Sequence, residues 1–169
     1  MAESWKEVQL QPSLLDRLTD DEPENKSEPV ARRGLTKAKL RKSVVRDLNW
    51  LFNSSNLAAV QDLDDYPEVV NSVINYGMPD FTGHTLSSID VPEVERLLKR
   101  VIIDFEPRII RRTLKVQLNV DPVEMSHNAM TFDIEGELWA DPVPLHVFLK
   151  TKLDLEVGDI EVYDYSGTA

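Results

Sequence analysis

The chain contains no cysteine, which removes disulfide scaffolds, thiolate zinc sites, iron–sulfur clusters and cysteine nucleophiles together. Its six glycines (Gly34, Gly77, Gly83, Gly136, Gly158 and Gly167) are scattered. They spell neither a phosphate-cradling loop nor a dinucleotide fingerprint, and no Gly-Lys-Ser/Thr occurs. The three histidines, His84, His127 and His146, lack a second ligand two or four residues away and read as surface or hydrogen-bonded polar residues. No serine stands in the glycine-flanked elbow of an α/β-hydrolase nucleophile. No apolar run approaches the roughly 18 residues that span a bilayer, and the stretch from Met1 to Glu7 lacks the apolar core of a signal peptide. The expectation is a cytoplasmic chain with no cofactor and no metal.

What is present suits one soluble domain: 169 residues, 41% of them apolar and 29% charged. The net charge of -11 repels phosphate backbones and anionic lipid and favours basic protein partners. It is zoned: -3 over residues 1–35, +4 over 36–53, -8 over 54–95 with no Lys or Arg, +5 over 96–115 and -9 over 116–169. Such blocks are the faces of a solvated protein, and they also suit a subunit that docks several neighbours. The basic cluster Arg96, Lys99, Arg100, Arg108, Arg111, Arg112 and Lys115 has no interleaved aromatics for base stacking. On an acidic body it fits an acidic protein surface rather than nucleic acid.

Residues 1–35 read as a flexible segment carrying a short helix: Leu10, Leu14 and Leu18 recur every four residues, with Pro12 near the start. Residues from Thr19 to Gly34 are polar, acidic and interrupted by Pro23 and Pro29, as in a tether. The leucines either dock a partner or fold back on their own domain. Residues 36–165 form the domain, and 166–169 a tail. A first helix carries Leu40, Val44, Leu48 and Leu51 on one face behind a Thr36 cap. A second, shorter one runs from Pro67 through Val69, Val70, Val73 and Ile74 to Gly77. In the third, Val94, Leu97, Leu98, Val101, Ile102 and Phe105 follow the helical template after Asp90 and Pro92, and Pro107 stops it. The period then changes to two. Leu114, Val116, Leu118 and Val120 alternate with polar residues, as do Met130, Phe132, Ile134 and Leu138, then Leu145, Val147, Leu149 and Leu153, and more weakly Ile160 and Val162. The fold class is α+β: three helices on an antiparallel meander of about four strands. On its outer face Asp133, Glu135 and Glu137 lie across from Lys115 or from His146, Lys150 and Lys152, depending on register.

The densest chemistry is Asp104-Phe105-Glu106-Pro107-Arg108, at the junction of the third helix and the first strand. Proline stiffens the corner and is expected to aim two opposite charges outward. An enzyme would use Glu106 as general acid with Asp104 or another carboxyl about 5–9.5 Å away. Arginines beside that carboxylate oppose this role by holding it ionised, whereas a general acid needs a raised pKa. An ion pair, internal or across an interface, is the better use, and Arg108, Arg111 and Arg112 offer planar forks for carboxylates.

The Glu106-Pro107-Arg108 corner resembles the Glu-Pro-Arg signature of the phage-tail baseplate wedge proteins and their type VI secretion counterparts, the TssE branch. Three further segments are similar to that branch: Arg41 to Asn53, containing Ser43-Val44-Val45-Arg46-Asp47-Leu48-Asn49-Trp50-Leu51; Asn75-Tyr76-Gly77-Met78-Pro79-Asp80-Phe81-Thr82-Gly83; and Leu138-Trp139 onward to Leu153-Asp154-Leu155. Together they span roughly residues 36–155. The resemblance implies a cytoplasmic baseplate subunit of a contractile injection machine, assembling in a membrane-docked complex, with other wedge proteins and contractile sheath subunits as partners. It implies that Glu106, Pro107 and Arg108 hold neighbouring wedge proteins and that the sheet resembles the interlocking domain of sheath subunits. The lysozyme-like label some relatives carry finds no sugar cleft here.

The candidate partner-binding residues are therefore Glu106, Pro107, Arg108, Arg111 and Arg112 at the corner, Leu14, Leu15 and Leu18 in the N-terminal segment, and Tyr163 and Tyr165 on the last strand. No catalytic residue is expected. Strand addition to a free sheet edge, either the Leu145–Leu155 run or the Ile160–Tyr165 run, is the expected sheath contact. Two rival functions remain: a peptidoglycan-cleaving enzyme using Glu106, and a soluble adaptor binding through Leu10 to Leu18.

Overall fold

The computed structural model describes residues 12–19, 23–24, 36–82, 89–119, 129–140 and 143–165. Leu10, most of the tether, Val120, His84, His127 and the 166–169 tail lie outside the described residues. Ser13 opens helix α1, Leu14–Leu18, by accepting the Asp16 N–H at 3.2 Å. Thr36 caps α2, Lys37–Phe52, accepting from the Lys39 N–H at 3.2 Å. The apolar stripe of α2 is buried at Leu40, Val44, Leu48 and Leu51, and Ser43 is buried among them. The second expected helix is broken. Pro67 starts α3, Pro67–Val70, but the chain then kinks into a separate 3₁₀ turn, Val73–Asn75. Val73 and Ile74 face solvent instead of the core. Ser72 causes the break: its hydroxyl accepts the Ile74 N–H and donates to the Val69 carbonyl, competing with helical continuation. Helix α4, Val91–Phe105, buries Val94, Leu98, Val101 and Ile102. Asp90 holds the cap position without a side-chain capping bond, and Pro92 occupies the first turn.

The described residues form one antiparallel sheet in the order β1 (Lys115–Asn119), β2 (Ala129–Leu138), β3 (Leu145–Asp154) and β4 (Ile160–Asp164). The alternation read from sequence is the burial alternation of the structure: Met130, Phe132, Ile134 and Leu138 of β2 and Val147, Leu149 and Leu153 of β3 face the helices. Register places Glu135 opposite Lys115, Asp133 opposite Lys150 and Glu137 opposite His146. Both arrangements considered for the acidic row are thus present at once. Glu135 joins them, accepting from Lys115 Nζ at 3.2 Å and lying 3.3 Å from His146 Nε2. These pairs are exposed, so solvent screens them and they contribute little to stability.

Of the two runs expected at a sheet edge, the one beginning at Ile160 lies there and the other does not. Leu145 to Leu155 is not an edge: β3 lies between β2 and β4. On β4, α2 supplies what a fifth strand would supply. Asn49 Oδ1 accepts the Val162 N–H at 3.0 Å, and Asn53 Oδ1 accepts the Ile160 N–H at 2.9 Å. The amide of Asn53 donates to the Ile160 carbonyl at 2.7 Å, and that of Asn49 to the Val162 carbonyl at 3.5 Å. Two asparagines one helical turn apart thereby match the backbone groups of two strand residues that point away from β3, because four residues along a helix and two along a strand cover nearly the same length. At the other edge, the Glu95 carboxylate of α4 accepts the Leu118 N–H at 2.6 Å.

Replacing Asn53 with Ala should lower unfolding free energy by about 1–3 kcal/mol in urea denaturation, since both backbone groups of Ile160 lose their partners inside the α2–β4 contact.

Candidate functional site

The corner is shaped first by backbone rules. Glu106 ends α4, its N–H still donating to the Ile102 carbonyl at 2.8 Å, but Pro107 disfavours helical geometry there and its φ and ψ are -119° and 78°. The chain turns within two residues and is clipped to the end of β2. The Trp139 N–H donates to the Arg108 carbonyl, and the Ile110 N–H to the Glu137 carbonyl, both at 2.8 Å. Ile109 is buried beneath this clip.

The charges turn inward, which corrects the expectation that they aim outward. Glu106 is only 3% exposed, and a carboxylate at that depth must be paired. Its partner is two residues away. Arg108 Nε donates to Oε1 at 2.7 Å, a terminal nitrogen donates to Oε2 at 2.5 Å, and the Arg108 backbone N–H adds 3.1 Å to Oε1. The same guanidinium crosses to α2, donating to Asp47 Oδ2 at 2.6 Å and to Ser43 Oγ at 3.2 Å. Asp47 Oδ1 accepts from Arg46 Nε at 2.8 Å, and Arg46 reaches Asp16 of α1 at 2.6 Å while lying 5.2 Å over the Trp50 ring. A chain of alternating charge, Glu106–Arg108–Asp47–Arg46–Asp16, therefore links the end of α4 to α2 and α1. Burial on its own would ease deprotonation of Arg108, but the carboxylates of Glu106 and Asp47 outweigh it and hold the guanidinium charged. Burial raises the Tyr76 phenol above its usual value, and the nearby Asp47 and Glu106 charges raise it further. At Asp16, burial acts upward but is outweighed by hydrogen bonds from Ser13 and Arg46 and by the Arg46 charge, leaving the carboxyl below its ordinary value.

Beside this network opens a cleft of about 460 Å³ with Asp47, Glu106 and Arg108 among its lining and Leu15, Trp50, Tyr76, Phe105 and Pro107 as apolar walls. Tyr76 and Phe105 meet edge to face at 5.3 Å. Of the residues picked from sequence, the structure gathers Glu106, Pro107, Arg108 and Leu15 at this cleft. Arg111 and Arg112 are exposed on the turn that follows. Leu14 and Leu18 are 69% and 77% exposed, so α1 is held by Asp16 while most of its leucine surface faces solvent. Tyr163 belongs to β4, the edge opposite β1, and Tyr165 directly follows it. Tyr163 donates to Glu161, and Lys150 Nζ lies 5.5 Å over the Tyr165 ring. Sequence reasoning missed Ser43, Asp47, Arg46, Asp16 and Trp50. One signal was available: Ser43, a small polar residue, sits beside the apolar stripe of α2 and is buried with it.

Fold and corner together define a small α+β domain whose helical and sheet layers are joined by a charged, proline-stiffened bend. The chain belongs to the baseplate wedge protein gp25 family, whose model matches residues 38–143, more than half of the chain, from α2 through β2 with the corner included. This family assigns it a structural role in a baseplate, assembling with other baseplate proteins. No curated protein and no solved structure matches the chain.

Arg108→Lys should cost about 2–4 kcal/mol in chemical unfolding, because an ammonium cannot serve Glu106, Asp47 and Ser43 together and leaves a buried carboxylate poorly paired. The Asp16 carboxyl should titrate below the ordinary value of about 3.9 and move upward in Arg46→Gln, as followed by carboxyl-carbon NMR. Because docking lowers the Asp16 pKa, it stabilises the α1 contact above the ordinary aspartate value and is lost as pH falls through the lowered one.

Proposed function

We propose that the chain is a non-catalytic structural subunit of a contractile injection baseplate, of the type VI secretion (TssE) branch. In this reading it works in the cytoplasm within a membrane-docked complex, holds other wedge proteins and helps nucleate the sheath. The observation that carries the reading is the apolar cleft built onto an already rigid joint. Leu15, Trp50 and Pro107 stand beside a salt-bridge network whose geometry is set before any partner arrives, and such preorganisation reduces the ordering cost of association. Trp50 is exposed and large, the kind of residue that anchors interfaces. Arg111 and Arg112 add basic charge on the adjoining turn.

A peptidoglycan-cleaving role for Glu106 is disfavoured by access. Both of its oxygens are engaged by Arg108, and a general acid must reach the leaving-group oxygen directly or through one water. For the sheath contact, β4 is the edge concerned. Asn49 and Asn53 of α2 already occupy the outward backbone groups of Ile160 and Val162, so an incoming strand pairs there only by displacing these side chains. Tyr163 and Tyr165 then anchor the added strand.

Native co-purification with wedge and sheath proteins tests this. Trp50→Ala combined with Leu15→Ser should reduce wedge capture about tenfold or more while shifting the melting temperature by no more than about 2–3 °C. Undiminished capture would overturn the docking role of the cleft, and glycan cleavage lost on Glu106→Gln would overturn the non-catalytic assignment. Deleting residues 1–35 should weaken capture without abolishing it, whereas an adaptor acting through Leu10 to Leu18 would lose its partner entirely.

A further inference from the structure

Between α2 and α4 the chain makes an excursion that touches the corner cleft through Tyr76. Residues 54–78 leave and return at one point: the Met78 N–H donates to the Ser54 carbonyl at 2.7 Å, and the Asn56 N–H to the Met78 carbonyl at 3.1 Å. Gly77 makes the closure possible. Its φ is +119°, and a Cβ there would stand 2.1 Å from the Ser54 carbonyl oxygen. Inside the excursion one buried side chain ties three turns together. Asn75 Oδ1 accepts the Ala58 N–H at 2.9 Å, and its amide donates to the Val70 carbonyl at 2.8 Å. The Leu57–Ala59 turn and α3 both pack against the Val73–Asn75 turn, and Leu63 and Met78 supply apolar anchors. This is a stapled, rigid body rather than a slack connection.

Its outer surface is unlike that of a connecting loop. Val60, Tyr66, Val73 and Ile74 are 83%, 57%, 81% and 66% exposed, carried on the mutually packed turns or beside them. Turns and loops that only connect favour small and polar residues, whereas large apolar side chains held on packed turns offer anchors for an interface. The accompanying charge has one sign. Asp62, Asp64, Asp65 and Glu68 are exposed around these residues, and no Lys or Arg occurs from residue 54 to 95. That field opposes acidic proteins and anionic lipid and favours a basic surface.

Resting on the structural-subunit reading above, we propose that residues 54–78 form a preformed docking knob. Its apolar tip inserts into a groove of a neighbouring baseplate protein, one with an apolar floor and a rim of Lys and Arg. The knob acts separately from the cleft at the corner, so the subunit grips neighbours at two places of different chemistry.

The test uses the full chain co-expressed with its baseplate neighbours. Val73→Ser with Ile74→Ser should cut recovery of the assembled wedge by about tenfold or more, and replacing Asp62, Asp64 and Asp65 with Asn and Glu68 with Gln should remove most of the salt dependence of association. Both variants should melt within about 2 °C of the parent, as exposed positions allow. A photo-crosslinking residue at Ile74 should capture a neighbour at a segment containing Lys or Arg. Knob variants that assemble like the parent sink the knob alone. A parent chain that assembles with no baseplate protein sinks the structural-subunit reading and the knob with it. Crosslinking of Ile74 to a second copy of this chain, whose α4 exposes Arg96, Lys99 and Arg100, would overturn the proposed partner in favour of self-association.

Discussion

One guanidinium fixes the relation between the layers of this protein. Arg108 follows the end of α4, its carbonyl receives the end of β2, and its side chain spans Glu106, Asp47 and Ser43. Desolvating these charges costs free energy that their mutual attraction returns only when the geometry is satisfied in full. The result is specificity of arrangement more than stability. A helix α2 that slid by one turn would lose both its Asp47 and Ser43 contacts at once. A subunit whose neighbours must find it in a single shape has a use for a joint of this kind.

The clamp also gives meaning to the surfaces around it. Pro107 limits the bend, the Arg108 network removes its remaining freedom, and the cleft with Trp50 and Leu15 is presented on a fixed frame. Helix α1 belongs to the same chain of charges through Asp16 and Arg46. Its exposed leucines are thus placed by an ion pair near the protein surface, which holds them with less free energy than packing would. The ion pair at the corner, where Glu106 is buried, is less exposed than the one that holds Asp16 of α1.

Periodicity made most of the architecture legible. The helical stripe from Val94 to Phe105 and the alternation from Met130 to Leu138 each bury one face, and burying a face is what sets both period and layer. The second helix was misread because Val73 and Ile74 look like its continuing stripe, while Ser72 redirects the backbone through local bonds that hydropathy does not register. The covering of the β4 edge by α2 was missed for a different reason. Asn49 and Asn53 look like ordinary polar positions on an amphipathic helix, and only the placement of β4 beside α2 turns them into stand-ins for a strand. At the corner, residue identity was readable and direction was not. Whether Glu106 and Arg108 face outward or toward α2 depends on where Asp47 and Ser43 lie, some sixty residues earlier in the chain.

The sharpest measurement is a double-mutant cycle joining Glu106→Gln and Arg108→Met, read by urea unfolding of the full chain. If the two side chains form the internal clamp, each single change leaves a buried polar or charged group without its partner, and the double variant is less destabilised than the sum by about 2 kcal/mol or more. Additivity within about 0.5 kcal/mol, with both single variants close to the parent in stability, would contradict the clamp and return the corner to a role on the outer surface.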